Sequence, residues 1–216
     1  MIIVKNSPDT SRPRGRPRAF DRDAALAAAG QLFRERGYEG TSISDLTEAM
    51  GITPQSLYAA YRSKADLYRE ALLDYRADAG AFTGQILEEE GDVHRAFARV
   101  LETTADVFSR QGAPRGCMIA TAILNCSPDH SPLAAHVRGM RAETLDLFRR
   151  RIERGIADGQ IAPDVDPQVL ARFLGALIQG MSVQAIDGAT TGELAEIARL
   201  GTSLLARHQA HVPPDE

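Results

Sequence analysis

Residues 41–64, TSISDLTEAMGITPQSLYAAYRSK, leave the chain little freedom in its local structure. Ser42 suits a helix N-cap, and Asp45 stands three positions on, where its carboxylate can bond back to the cap's own N–H. Ile43, Leu46, Ala49 and Met50 then recur at helical spacing and give one apolar face. Gly51 ends that helix, because glycine enters the left-handed region without a Cβ penalty. Thr53 is a second N-cap, and Pro54 fits the first helical position, where its missing N–H would have no partner anyway. Leu57, Ala60 and Tyr61 continue the apolar face, whereas Gln55, Ser56 and Tyr58 point elsewhere. Two capped helices across so short a turn form either a helix-turn-helix or an ordinary hairpin in a helical core.

The rest of the chain agrees with a helical reading. Ala, Leu, Arg and Glu are frequent, while Val and Ile do not fall into alternating runs. A length of 216 residues suits one large or two small domains with an ample core. No apolar run approaches the roughly 20 residues needed to span a bilayer. Met1 to Val4 is too short for a signal peptide. A cytoplasmic location without a membrane partner is therefore expected. Two cysteines make no disulfide framework. The net charge of −4 conceals an asymmetry: residues 1–64 hold 10 Lys/Arg against 7 Asp/Glu, and residues 65–216 hold 15 against 22. A basic front on an acidic body points to a polyanionic partner for the front alone, with a solvated tail as the plain alternative.

Residues 1–19 have the composition of a flexible basic arm. Within it, Pro13-Arg14-Gly15-Arg16-Pro17, followed by Arg18, resembles an AT-hook. Guanidinium groups favour the narrow minor groove of A·T-rich DNA, and glycine lets the backbone approach closely. A tail that only touches phosphates remains the alternative. Asp21 caps a helix running to about Arg36, with Ala25, Leu26, Ala29, Leu32 and Phe33 on its buried face. Ser63 with Asp66 opens a further helix to about Ala79, leaving almost no linker after Tyr61. A three-helix unit over residues 20–65 is thus expected, rigidly joined to a second unit over residues 66–216.

The pattern Leu32-Phe33, Gly37-Tyr38, Thr41-x-Ile43-x-x-Leu46, Gly51-Ile52-Thr53, Leu57-Tyr58-x-x-Tyr61-x-x-Lys64-x-x-Leu67 resembles the N-terminal domain of the TetR family of transcriptional regulators, without a gap. Tyr61 stands where family members usually carry Phe, and Gln55 where Gly is frequent. Ala59 and Ala60 replace a frequent aromatic and His. The resemblance implies an all-α chain, with an N-terminal three-helix helix-turn-helix domain and a C-terminal helical domain for ligand binding and dimerisation. It implies a regulator rather than an enzyme. Such a repressor holds a pseudo-palindromic double-stranded operator as a homodimer and is released by a small-molecule effector. Side-chain chemistry then suggests roles. Gln55 can bond a base bidentately, Ser56 can reach a base edge or a phosphate, and Tyr58 a phosphate or a thymine methyl. Thr41, Thr53 and Lys64 lie near helix N-termini, which favour phosphates. Arg14, Arg16 and Arg18 add the arm, while Leu57 and Tyr61 belong to the core.

Further along, residues 91–110 read as a helix, and Glu88-Glu89-Glu90 before it as a helix end or a solvated loop. Residues 117–125, nearly all apolar, suggest a short buried helix. A long helix is expected from Leu133 to about Asp158, with Arg149-Arg150-Arg151 as a solvated face. Asp166 and Pro167 open a helix to about Ile186, and Thr190 with Glu193 boxes a last one to about His208. These two are apolar over more than half their circumference. In the resemblance they form a four-helix dimer interface, with Phe173, Leu174, Leu177, Met181, Leu194, Ile197 and Leu204 as candidates and Gly175 and Gly180 allowing close approach. Intrachain core is the alternative.

Candidate pocket residues are Phe97, Leu101, Thr104, Phe108, Met118, Thr121, Leu124, Asn125, Phe148 and Phe173, each of which also suits plain core. Cys117 resembles the position of an electrophile-sensing cysteine in some TetR-type regulators, with Arg115 able to lower its thiol pKa. Its other reading is a small buried hydrophobe. Cys126 would lie about 13 Å away along a helix, too far for a disulfide. His208 and His211 share helical spacing at a fraying end, and no metal site is expected. No phosphate loop, nucleophile elbow or acid–base pair stands out, so no cofactor is expected. Three readings remain: a ligand-released repressor, a redox- or electrophile-sensing regulator acting through Cys117, and a helical enzyme or interaction protein sharing only the hairpin.

Overall fold

Capping chemistry sets most of the helix boundaries. The structure is a computed structural model that describes residues 21–123 and 130–210. Its helices are α1 (Arg22–Arg36), α2 (Ile43–Met50), α3 (Pro54–Tyr61), α4 (Lys64–Ala77), α5 (Phe82–Glu89), α6 (Val93–Ser109), α7 (Ser131–Ala157), α8 (Pro167–Ile186) and α9 (Thr191–Ala206). Asp21, Ser42, Thr53, Ser63, Asp92, Asp166 and Thr190 each accept a backbone N–H from the first turn of the helix they precede. Each such cap stabilises its helix by about 1 kcal/mol. Ser42 with Asp45 and Thr190 with Glu193 complete reciprocal boxes. Hydrogen bonds from Ser42 hold the Asp45 carboxyl below its usual range. No strand occurs among the described residues; Ile161 and Gln209 form an isolated antiparallel bridge.

Four features depart from the sequence expectations. Helix α5 has no expected counterpart: its N-cap position, Ala81, makes no side-chain cap bond, so the usual start signal is missing. Glu88 and Glu89 form its last turn and Glu90 its C-cap. The segment beginning at Cys117 is a series of turns rather than a helix. Thr121 N–H bonds Cys117 O, but Ile123 at φ 43° breaks any continuation. Leu124, Asn125 and Cys126 lie outside the described residues.

Arg149 and Arg150 do pair with Asp146 at the surface, but Arg151 is turned inward, 3% exposed. Its Nη2 donates to Glu90 O at 3.0 Å and Gly91 O at 2.9 Å, tying α7 to the α5–α6 turn. Finally, α8 is by length and composition apolar enough to cross a membrane, although Arg172 and several glutamines interrupt its sequence. It packs on α6, α7 and α9 along one side.

Two apolar cores result. One joins α1–α4 to Met118, Ala122 and the first half of α7 through Leu133, Val137 and Met140. The other is built from α5 to α9, with α6 packed chiefly on α9 and α7 on α8. Helix α4 belongs to the first core along its length, from Leu67 to Tyr75, and Cys117 packs against both cores.

Candidate nucleic-acid interface and ligand cavity

Helix α3 is held from one side only. Leu57 and Tyr61 are 0% and 1% exposed. The Tyr61 hydroxyl donates to Arg22 O at 3.1 Å, and the Arg22 guanidinium sits 4.8 Å from its ring centroid. The opposite face presents Thr53, Gln55, Ser56 and Tyr58 to solvent, with Tyr58 48% exposed. Thr53 Oγ1 accepts Ser56 N–H at 3.2 Å and shares a bond of 3.0 Å with Ser56 Oγ, so those hydroxyls are already oriented. Gln55 and Tyr58 are the long side chains left to reach outward.

Thr41 is not part of that surface. It is 1% exposed, and its hydroxyl donates to Gly37 O at 2.7 Å, closing the α1–α2 connection. The expected phosphate contact gives way to a structural one. Lys64 is half-buried, with Nζ 4.2 Å from the Tyr38 ring centroid, and burial pulls its pKa down. Arg14, Arg16 and Arg18 lie outside the described residues. Between α3 and α4 only Arg62 and Ser63 intervene. Arg62 has φ 62° and ψ −47°, and Ser63 N–H bonds Tyr61 O at 2.6 Å, a tight γ-turn that non-glycine residues rarely adopt.

A cavity of about 370 Å³ opens among α4 to α8. Thr104, Phe108 and Phe148 line it, together with Tyr75, Arg76, Met140, Arg141, Glu143, Leu145, Ile178 and Gln179. The Thr104 hydroxyl is already committed to Val100 O at 2.7 Å. Phe97 and Leu101 do not line the cavity; they are core, with Phe97 edge-on to Phe148 at 5.5 Å. Met118 and Thr121 face a second hollow, between α1 and the 114–123 segment. Phe173 is on the outside, 37% exposed. No sequence signal marks Arg76, Arg141 and Glu143 as lining residues, since charges on amphipathic helices read as solvated faces.

Cys117 lies in the wall between the two hollows. Its N–H donates to Ser182 Oγ at 2.8 Å. The Tyr75 hydroxyl lies near its thiol, and burial, with Cys117 beside it, raises that hydroxyl's pKa. Arg115 is turned away from the thiol, donating to Ala189 O. Among the described residues no group of three or more His, Cys, Asp or Glu side chains could hold a metal ion.

On α8 and α9 the expected interface residues separate. Leu174, Met181 and Leu194 are fully buried within this chain, because the packing of α8 and α9 on α6 and α7 consumes that stripe. Gly175 likewise faces inward onto Leu145, whereas Gly180 faces open space. Phe173 and Leu204 remain on an outer apolar face with Val169, Val183, Ile186 and Leu200, while Leu177 and Ile197 are half-buried.

Residues 25–71 match the model of the bacterial regulatory proteins of the tetR family, and residues 94–195 that of the tetracyclin repressor-like C-terminal domain. The HTH-type transcriptional repressor ComR of Escherichia coli (strain K12) is 38% identical over 195 residues, 89% of this chain and 91% of that protein. The repressor BdcR of the same organism is 29% identical, over 88% of this chain and 91% of its own. A solved structure of a cysteine mutant of the TetR-family regulator CifR, complexed with 26-bp double-strand operator DNA, superposes with a TM-score of 0.84 at 40% identity. That match covers 88% of this chain and 100% of the other. Both parts of the chain, the outward face of α3 and the helical body behind it, are thereby accounted for by one set of relatives, none of them an enzyme. The chain belongs to the TetR family of transcriptional regulators.

Proposed function

We propose that this protein is a repressor that binds a pseudo-palindromic operator as a homodimer and is released when a small molecule enters the α4–α8 cavity. The observation that carries the reading is the outward face of α3, where Gln55 and Tyr58 stand free while Leu57 and Tyr61 anchor the helix from behind. Residues 20–65 form the DNA-reading domain, and residues 66–216 bind the effector and dimerise. Gln55 reads bases; Thr53, Ser56, Tyr58 and Lys64 contact the backbone, and the arm with Arg14, Arg16 and Arg18 adds affinity. The outer apolar face of α8 and α9, centred on Phe173, Val183, Leu200 and Leu204, meets its copy in the second chain. Two α3 helices then address half-sites about 34–36 Å apart.

Gln55→Ala is expected to weaken binding to the selected operator by about 1–3 kcal/mol and to relax preference at one or two base positions. Fluorescence anisotropy on the operator and its single-base variants measures both. A uniform loss on every duplex would make Gln55 a backbone contact instead.

A second reading is favoured by the place of Cys117 in the cavity wall, which it shares with Tyr75 of α4. Modification of its thiol by an oxidant or electrophile would disturb the helix that leads to the DNA-reading domain. Cys117→Ser is then expected to remove the loss of operator affinity caused by aldehydes or peroxide. A normal response in that variant ends this reading.

A further inference from the structure

The cavity lining is mainly apolar, and Arg141 stands out among its charged groups. This half-buried side chain on α7 donates through Nη1 to Ile119 O at 3.1 Å and Ala122 O at 3.0 Å. Its Nε and Nη2 make no hydrogen bond to the described residues and are not sealed from the cavity and solvent. The other charged lining groups are compensated: Arg76 pairs with Glu143 at 2.5 Å, and Arg150 with Asp146. Among the described residues no carboxylate stands within ion-pair distance of Arg141, and Arg138 adds a like charge to its surroundings. Burial pulls the guanidinium's pKa down. A partly desolvated cation without a counter-charge is costly, and a guanidinium edge suits a carboxylate fork.

Resting on the reading of this cavity as the effector site, we propose that the effector is a small organic carboxylate. Its carboxylate binds Arg141, and its apolar body lies against Phe108, Phe148 and Ile178. The volume of about 370 Å³ has room for on the order of a dozen water-sized groups, which suits an aryl-alkyl or medium-chain acid. The absence of a second uncompensated cation among the described lining residues points to a single negative charge.

The test uses the purified full-length protein. Thermal unfolding and calorimetric titration are run with phenylpropanoate, phenylpropanamide, phenylpropylamine and acetate, and with straight-chain acids from butanoate to decanoate. At least one acid with an apolar body is expected to raise Tm and to bind about tenfold more tightly than its amide. The amine and acetate are expected to produce no shift. Arg141→Gln is expected to bring acid and amide to within about threefold of one another. Should that variant fail to fold, side-chain NMR of the wild-type arginines decides, because the bound acid must shift the Arg141 Nε–H resonance. The proposal is overturned if no acid in the panel binds, if an amide binds as well as its acid, or if folded Arg141→Gln keeps the preference. Operator titrations separate this inference from the reading beneath it. Release by a neutral molecule but not by acids ends the carboxylate and leaves the repressor. An acid that binds without changing operator affinity leaves the site and ends the release mechanism.

Discussion

Leu57→Ala is expected to abolish operator binding while leaving the proposed dimer assembled. Leu57 is fully buried in the α1–α4 core and, with Tyr61, is one of the two buried side chains of α3, beside the partly buried Ala60. Truncating a buried leucine costs about 2–5 kcal/mol, depending on how far the site collapses. An eight-residue helix has almost no stability of its own, so α3 cannot hold its orientation without that anchor. The α5–α9 core shares none of the Leu57 contacts, and the outer α8–α9 face is remote from it. Size-exclusion chromatography should therefore show an unchanged dimer, while hydrogen exchange accelerates across α2 and α3 and anisotropy reports no operator complex. Retained operator affinity would show that Tyr61 alone positions α3.

Gly116→Val has a comparable effect on the other half of the molecule. Gly116 sits at φ 76°, a region that β-branched residues avoid. A Cβ there would lie 2.9 Å from both Ser182 O and Ser182 Oγ and 3.0 Å from Ile186 Cγ1. The segment is pinned on both sides, by Gly116 N–H to Phe108 O at 2.9 Å and by Cys117 N–H to Ser182 Oγ, so it cannot simply move outward. Backbone strain and overpacking together are expected to destabilise the protein by about 3–5 kcal/mol. Loss of the cooperative thermal transition at physiological temperature, with operator binding lost alongside, is the expected readout. A Tm within a few degrees of wild type would mean that α8 shifts to make room.

The fold was legible where one residue type has one job. Asp21, Ser42, Thr53, Ser63, Asp166 and Thr190 each announce a helix start, because a short side-chain oxygen before an apolar repeat satisfies N–H groups that nothing else reaches. Helix α5 was silent because Ala81 offers no such oxygen. Apolar runs were ambiguous for a different reason. The run from Cys117 has the composition of a buried helix, yet its backbone is spent on turns against α8. Leu174 and Phe173 are neighbours of equal hydrophobicity, and only the placement of α6 and α7 sends one inward and the other out. The cavity was the least legible part. Arg76, Arg141 and Glu143 look like surface charges along their own helices, and they meet only because α4 and α7 cross there. Thr41 failed in the opposite sense. Its position before a capped helix suits a phosphate, but its hydroxyl had already been claimed by Gly37.

The γ-turn at Arg62 has a mechanical consequence. It leaves no slack between α4 and α3, so a rotation of α4 is delivered to α3 as rotation rather than absorbed. Helix α3 is eight residues long, about 10 Å from the pivot at Tyr61 to its far end at Pro54. A tilt of about 10° would carry Gln55, near that end, through roughly 1.5 Å, which is wider than the range of lengths over which a hydrogen bond holds. In a two-fold pair both pivots turn together, and the two displacements add along the DNA axis. A modest swing at the cavity would then take both reading heads out of step with the helical repeat of the duplex at once.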